Sequence, residues 1–307
     1  MAEIDYSVIV PVYNSSETLE ELFTRIQKCF NSLCKSFEII FVDDGSRDDS
    51  WKLISEIKKQ FPEQVKAIRF VRNFGQHNAI FCGISHANGK FFITIDDDLQ
   101  HPPEEIPKLI EKYKETSSDL VYGYFKKKHH SFLQNFGSKL IKKSAKVMYD
   151  SKGEGSSFRL ITNQLGKQLL EHSQNFVFID ELLLWYTGDI SFVKVEHEKR
   201  KSGNSGYSKI KLLKLSINLM LYYTAIPLKL MIYGGFFAAF FSFFLGIYFI
   251  LKKIFYNVPH GYTSIIVTIL FSTGIIIFSL GIIGEYLIRI YMVQNKKPPY
   301  AIKQKLL

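Results

Sequence analysis

Apolar residues come in short β-rich bursts through the first 124 positions, and helix-like spacing fills the intervals between them. The bursts are YSVIVPVY at 6–13, FEIIFV at 37–42, VKAIRFV at 65–71, KFFITI at 90–95 and SDLVYGY at 118–124. After the first, Ser15 or Ser16 supplies a cap for a helix reaching about Phe30. Asp48 or Asp49 does the same for SWKLISEIKKQF, and a third helix covers 78–87. Pro103 stands in the first turn of EEIPKLIEKYKE, where Pro107 is placed to kink the helix. Fully apolar strands alternating with helices predict an α/β fold, its mostly parallel sheet covered on both faces. Such sheets bind ligands at the carboxyl ends of their strands.

The pattern changes after residue 206. In 207–230, Lys209, Lys211 and Lys214 lie beside leucines and isoleucines, as in amphipathic helices resting in a membrane interface. Residues 231–251 carry no charge and 263–288 only Glu285. Each run is long enough to span roughly 30 Å of hydrocarbon. The short loop KKIFYNVPHGY joins them, which predicts a two-helix transmembrane hairpin with both outer ends on one side. Basic residues in 209–229 and in the tail 289–307 outnumber Lys252 and Lys253 of the loop. The positive-inside rule then places the 1–206 domain, the basic tail and both termini in the cytoplasm, on a multi-pass protein of the inner membrane. The first apolar run is too short, and lacks a basic leader, for a signal peptide.

The formal net charge of +10 admits nucleic acid or an anionic membrane as partner. Lysine clusters near the hydrophobic runs, and the absence of a nucleic-acid motif, favour membrane lipids. Three cysteines without metal-ligand spacing exclude a disulfide framework and a zinc site. They read as small packed residues in a reducing compartment.

The strongest chemical signal is ITIDDDLQHPPEE at 93–105, where acids follow directly on a buried strand. In extended geometry Asp96, Asp98 and Gln100 share one side and Asp97 faces the other. Oxygen ligands so spaced suit Mg²⁺ or Mn²⁺ holding a diphosphate, and the cation offsets charge on a departing nucleotide. VIVPVYN and IIFVDDGSRDDS put Pro11, Tyr13, Asn14, Asp43 and Asp44 at strand ends. A carboxylate at Asp43 or Asp44 is placed to accept from a uracil N–H, and Tyr13 to stack on the base. His77, His86, His101 and His197 offer no ligand pair and read as structural or substrate-shaping; Trp185 reads as packed within a helix.

The ordered set PVYN, VDDGS, RNFGQHNA and DDDLQHPPEE resembles family 2 glycosyltransferases of the GT-A fold. The tail GIIGEYLIRIY…KKPPY resembles the polyisoprenyl-phosphate branch. That branch includes dolichyl-phosphate mannose synthases, undecaprenyl-phosphate glucosyltransferases of the GtrB type and undecaprenyl-phosphate 4-deoxy-4-formamido-L-arabinose transferases. The resemblance implies inverting transfer from a nucleotide sugar, UDP-linked, to undecaprenyl or another polyisoprenyl phosphate, by a homo-oligomer, tetramer favoured. It assigns Pro11, Tyr13, Asn14, Asp43, Asp44, Asp96 and Asp97 to the nucleotide sugar, and Asp96, Asp98 and Gln100 to the metal. Asp98 and Glu154 take the catalytic roles; Lys126, Ser138, Arg159 and Arg200 hold the acceptor phosphate. The chain departs from the family twice. Ser15 replaces a common Glu after PVYN, and Glu154-Gly155-Ser156-Ser157-Phe158-Arg159 stands where relatives read D-x-G-D-F-R. Asp180 or Glu181 is an alternative base.

A phosphate monoester, with a second pKa of about 6, is already a nucleophile at neutral pH and needs positioning more than a base. A processive synthase of the same fold usually carries Q-x-x-R-W, but neither Trp51 nor Trp185 follows an arginine. A non-catalytic scaffold would not need the intact acid–acid–Gln pattern. The sugar is not encoded in any motif.

Overall fold

The computed structural model describes residues 3–124, 156–171, 178–198, 262–294 and 298–307, with single positions between 231 and 255. The chain divides into two compact units, Met1–Gly206 with Lys297–Leu307, and Tyr207–Lys296.

In the first unit the five apolar bursts become β1 (Tyr6–Val12), β2 (Phe37–Asp43), β3 (Val65–Phe70), β4 (Phe91–Thr94) and β5 (Leu120–Tyr124). Later strands are β6 (Arg159–Thr162), β7 (Ile190–Lys194) and β8 (Ile302–Leu306). The helices of this unit are α1 (Leu19–Leu33), α2 (Ser50–Gln60), α3 (Gln76–Ser85), α4 (Ile106–Thr116), α5 (Asn163–Leu169) and α6 (Ile179–Tyr186). One mixed sheet runs β7-β5-β6-β4-β1-β2-β3-β8. The β4-β1-β2-β3 core is parallel, while β6 and β8 pair antiparallel to their neighbours. The chain runs outward from β1 to β3 and then returns to place β4 on the other side of β1. That reversal opens a crevice at the carboxyl ends of β1 and β4.

Every residue of β1 and β2 is buried. Val8, Val10 and Val12 join Leu22, Phe23 and Ile26 of α1 in one core cluster. Ile9 points to the opposite face, against Gly83 of α3. Each such side chain contributes roughly 1.5–3 kcal/mol on burial.

Three local expectations change. Helix α1 starts after Thr18 rather than at Ser15 or Ser16, and the Thr18 hydroxyl donates to the Asp97 carbonyl (2.6 Å), tying the helix start to the β4 loop. The third helix begins two residues earlier than expected, at Gln76, behind Gly75. Pro107 does not kink α4. It lies in the first turn, where its missing N–H has no helical partner to lose; Pro103 opens a short 3₁₀ turn just before.

In the second unit α7 (Tyr262–Gln294) has 33 residues, roughly 50 Å of helix. Its segment Phe271–Ile288 is, among the described residues, the one long and apolar enough to cross a membrane. Ile276, Ile277 and Phe278 are consecutive and all exposed, so the helix is apolar on every side. Between 231 and 255 the described positions are helical; the stretch read as amphipathic, 207–230, lies outside the described residues.

The α3–β1 contact leaves no room for a methyl group. A Cβ at Gly83 would sit 2.3 Å from the Ile9 Cγ2. Gly83→Ala should cost about 1–3 kcal/mol despite its better helix propensity, measured by thermal or denaturant unfolding. Gly188→Ala, where nothing lies within 4 Å, should stay within about 0.5 kcal/mol of the parent.

Candidate active site

Four loops meet at the carboxyl ends of β1 to β4. After β1, Asn14 takes a left-handed conformation and turns the chain. Its N–H donates to the Ser46 Oγ (3.0 Å), and its Oδ1 accepts from the Arg47 N–H (2.9 Å). Pro11 is buried within β1, whereas Tyr13 is 45% exposed and leaves a ring face available.

After β2, Asp43 and Asp44 are both buried. Asp43 accepts from the Ser46 N–H (2.9 Å) and pairs with the Arg69 Nε (3.0 Å). Asp44 accepts from the Phe74 and Gly75 N–H groups at 2.6 and 2.8 Å. Burial pushes its carboxyl up to about 6 against those two hydrogen bonds, with Asp43 adding to the rise. Gly45 has φ +72°, and a Cβ there would lie 2.6 Å from the Arg72 carbonyl carbon. Only glycine lets the β2 turn lie flat on the loop after β3.

After β4 the acidic run does not stay extended. Residues 97–100 form a turn with Leu99 left-handed, and Asp98 Oδ1 accepts from the Gln100 N–H (3.1 Å). The strand alternation read from sequence therefore fails here, yet Asp97 still parts from its neighbours. Its Oδ2 accepts from the Tyr13 N–H (3.0 Å) and the Ser15 hydroxyl (2.5 Å). Burial pushes Asp97 up to about 7 despite those bonds, and the charges of Asp96 and Asp98 raise it further. Asp96 accepts from Gln76 on one oxygen and from the Ser157 hydroxyl on the other.

Among the described residues no three His, Cys, Asp or Glu side chains converge as a metal site. Asp96 and Asp98 leave two hard carboxylates on one loop, with the Gln100 amide next along it. Such a set fits Mg²⁺ or Mn²⁺ completed by phosphate oxygens, because Mg²⁺ is commonly held by one or two carboxylates plus substrate phosphates.

Arg159, expected at the acceptor phosphate, is 1% exposed. Its guanidinium bonds Asp180 (2.5 Å) and the Thr94 hydroxyl (3.0 Å), and Tyr122 donates to the same Asp180 oxygen (3.0 Å). The charge is thus committed inside the fold. His77 borders this pair; its Nδ1 accepts from the Ile179 N–H and its ring packs on Phe178. Trp185, expected to be packed, is instead 79% exposed. Lys126, Ser138, Glu154 and Arg200 lie outside the described residues. The chain is described up to Glu198, two residues before Arg200, and the Glu198 N–H donates to the Gln100 carbonyl (2.9 Å). Arg25 ties Glu104 (2.7 Å) to Glu198 (3.1 Å) beside it.

Sequence reasoning gave no role to Gln76, Ser157 or Arg69, and read Ser15 as a helix cap rather than as a partner of Asp97. Gln76 lies within RNFGQHNA, and Ser157 stands at the family's second acid, so position alone pointed to both.

Residues 7–179 match the model of glycosyl transferase family 2. The chain is 34% identical to the undecaprenyl-phosphate 4-deoxy-4-formamido-L-arabinose transferase of Shewanella sediminis, over 99% of this chain and 93% of that one. It is 30% identical to the bactoprenol glucosyl transferase of Shigella phage SfV, over 97% and 98% of the two. Among solved structures it resembles Mycobacterium tuberculosis glucosyl-3-phosphoglycerate synthase in complex with Mn²⁺, UDP-glucose and phosphoglyceric acid. There the TM-score is 0.50 at 17% identity, over 72% of this chain and 78% of that one. The shared architecture is GT-A-like, an α/β fold around a mixed sheet.

Burial pushes the His77 imidazole down to about 4; Asp180 opposes the shift and Arg159 reinforces it. The unfolded chain, near 6.5, therefore binds more protons than the folded one between those values. The neutral ring's contribution is present above pH 6.5 and lost as pH falls toward 4. His77→Gln should remove on the order of 2 kcal/mol of that acid sensitivity, read from unfolding curves at pH 7 and pH 4.5.

Proposed function

Because the chain belongs to glycosyl transferase family 2, we propose that it moves a sugar from a UDP-linked donor onto undecaprenyl or another polyisoprenyl phosphate at the cytoplasmic membrane surface. The observation that carries this reading is the hydrogen bond from Glu198 to Gln100. It brings Glu198 to the acidic loop, one residue before Lys199 and two before Arg200 in sequence, which supports a positively charged approach for a lipid phosphate near the donor chemistry.

Tyr13 stacks on the base, and the turns built on Pro11, Asn14, Asp43 and Asp44 shape the nucleoside pocket. Asp97 holds the β1 loop against the β4 loop, setting the nucleoside pocket relative to the diphosphate. Asp96, Asp98 and Gln100 hold Mg²⁺ or Mn²⁺, which when bound offsets charge on the departing nucleotide diphosphate. Lys126, Ser138 and Arg200 receive the acceptor phosphate, whose dianion attacks the anomeric carbon from the face opposite the leaving group and so inverts it. Arginine suits this part because its planar fork pairs phosphate oxygens and keeps its charge. Arg159 acts from beneath, as the buried support of Asp180 and Thr94. Glu154 is the position for any base, which an ionised phosphate needs little.

The topology supports membrane attachment through two passes. The chain leaves the first unit after Gly206 and rejoins it at Lys297. A chain that returns to the side it left crosses a bilayer an even number of times, and α7 accounts for one crossing. The 231–251 run is the natural second. Gly274, Gly281 and Gly284 of α7 face open space, which suits close helix contacts in a homo-oligomer, with a tetramer favoured.

Asp98→Asn should lower transfer by roughly 100-fold while the protein stays folded, and excess EDTA should do the same to the unaltered enzyme. The assay is mass spectrometry of the lipid product from undecaprenyl phosphate and a panel of nucleotide sugars. Full activity in either case would remove the metal assignment. An impermeant thiol reagent applied to intact cells should label a cysteine placed at 257 but not one at 300. The reverse pattern would invert the topology.

A further inference from the structure

Residues 296–300 carry a motif, KKPPY, to which the reading above gives no task. In the structure the following residues rejoin the catalytic sheet. Strand β8 lies antiparallel on β3, pairing Ala67 with Leu306 and Arg69 with Gln304. The register shifts between Arg69 and Phe70, so the ladder is irregular at the end nearest the site. Bulges there re-aim side chains. The Val71 N–H then donates to the Ala301 carbonyl (3.0 Å), so pairing continues past the end of β3.

Tyr300, directly after Pro298 and Pro299, stacks on Phe70 with ring centroids 4.9 Å apart and planes at 13°. Phe70 meets Phe74 edge-on at 5.7 Å. Phe74 is the residue whose N–H, with that of Gly75, holds the Asp44 carboxylate, and the next side chain, Gln76, holds Asp96. A relay of three rings therefore runs from Tyr300, just before β8, to the loop that fixes one acid of each strand-end motif.

We propose that Tyr300 is a positioning residue for the nucleotide, locking the 71–76 loop through Phe70 and Phe74 so that Asp44 and Asp96 are preset before the donor arrives. The proposal rests on the reading that the nucleotide occupies the crevice at Asp44 and Asp96. The ring stack does the setting, not the hydroxyl, and β8 supplies the attachment that keeps the ring in place.

The test uses the full chain in nanodiscs with UDP and Mn²⁺ as the probe. Tyr300→Ala should weaken UDP binding in calorimetry by roughly three- to tenfold, the worth of one aromatic pair. The KM for nucleotide sugar should rise in parallel, while the KM for undecaprenyl phosphate stays put. Tyr300→Phe should bind as the parent does. Phe74→Leu breaks the relay at its other end and should reproduce the loss, which keeps the test open if Tyr300→Ala does not fold. Leu306→Ala trims β8 at the end remote from the loop; it should lower the Tm without changing UDP affinity. Parental UDP affinity in both Tyr300→Ala and Phe74→Leu would overturn the proposal and leave the nucleotide site standing. Equal loss in Leu306→Ala would overturn it too, by reducing the effect to general stability. If Asp44→Ala leaves UDP binding intact, the nucleotide placement itself falls, and the relay through Asp44 falls with it.

Discussion

Three consecutive carboxylates at the end of a buried strand repel one another, and the groups that keep Asp96, Asp97 and Asp98 together organise the whole crevice. No two are held the same way. Asp97 is taken by the backbone and hydroxyl of the β1 loop, Asp96 by side chains from α3 and from the segment just before β6, and Asp98 by the turn of its own loop. Each restraint comes from a different element, so the acids act as the common anchor on which separately folded loops converge. Drawing Asp97 partly out of water is costly, and the same desolvation pushes its carboxyl up. The cost is tolerable because its two hydrogen bonds fasten the β1 loop where the chain would otherwise be free.

A second buried charge supports this floor. Arg159 spans the gap between Thr94, at the end of β4, and Asp180 on α6. Tyr122 and His77 close around the pair, and the depressed His77 pKa follows from its burial, with Arg159 adding to it. Such pairs seldom add net stability over apolar residues, but removing one partner strands the other. Their effect here is geometric: the end of the catalytic strand cannot shift without dragging a helix with it.

The alternation of strands and helices was legible because β1 to β5 are apolar nearly throughout, which leaves few other folds for them. The acidic run was legible as a site because it follows a strand too apolar to lie at the surface. Its detail was not. Strand geometry assigned Asp97 to a separate face, and the separation holds, but a turn at Leu99 and the donors on Tyr13 and Ser15 cause it. Ser15 looked like a helix cap because serine at a helix start usually is one; a carboxylate 82 residues away outcompeted the helix. Arg159 looked like a phosphate ligand because sequence shows charge and not depth. Trp185 looked packed for the converse reason. The last strand was hidden altogether, since IKQKL reads as a basic tail until β3 offers it an edge.

Strand β8 sets the order in which the sheet can be closed during synthesis. β3 is made early, yet the strand that covers its edge is made only after α7. Until then the sheet carries a row of unpaired backbone groups, the kind of edge that recruits strands from other chains. Every apolar helix of the second unit must emerge before the cover does. A ribosome stalled after α7 would leave the sheet with one raw edge, and a protease that removes β8 would recreate that nascent state in a mature molecule.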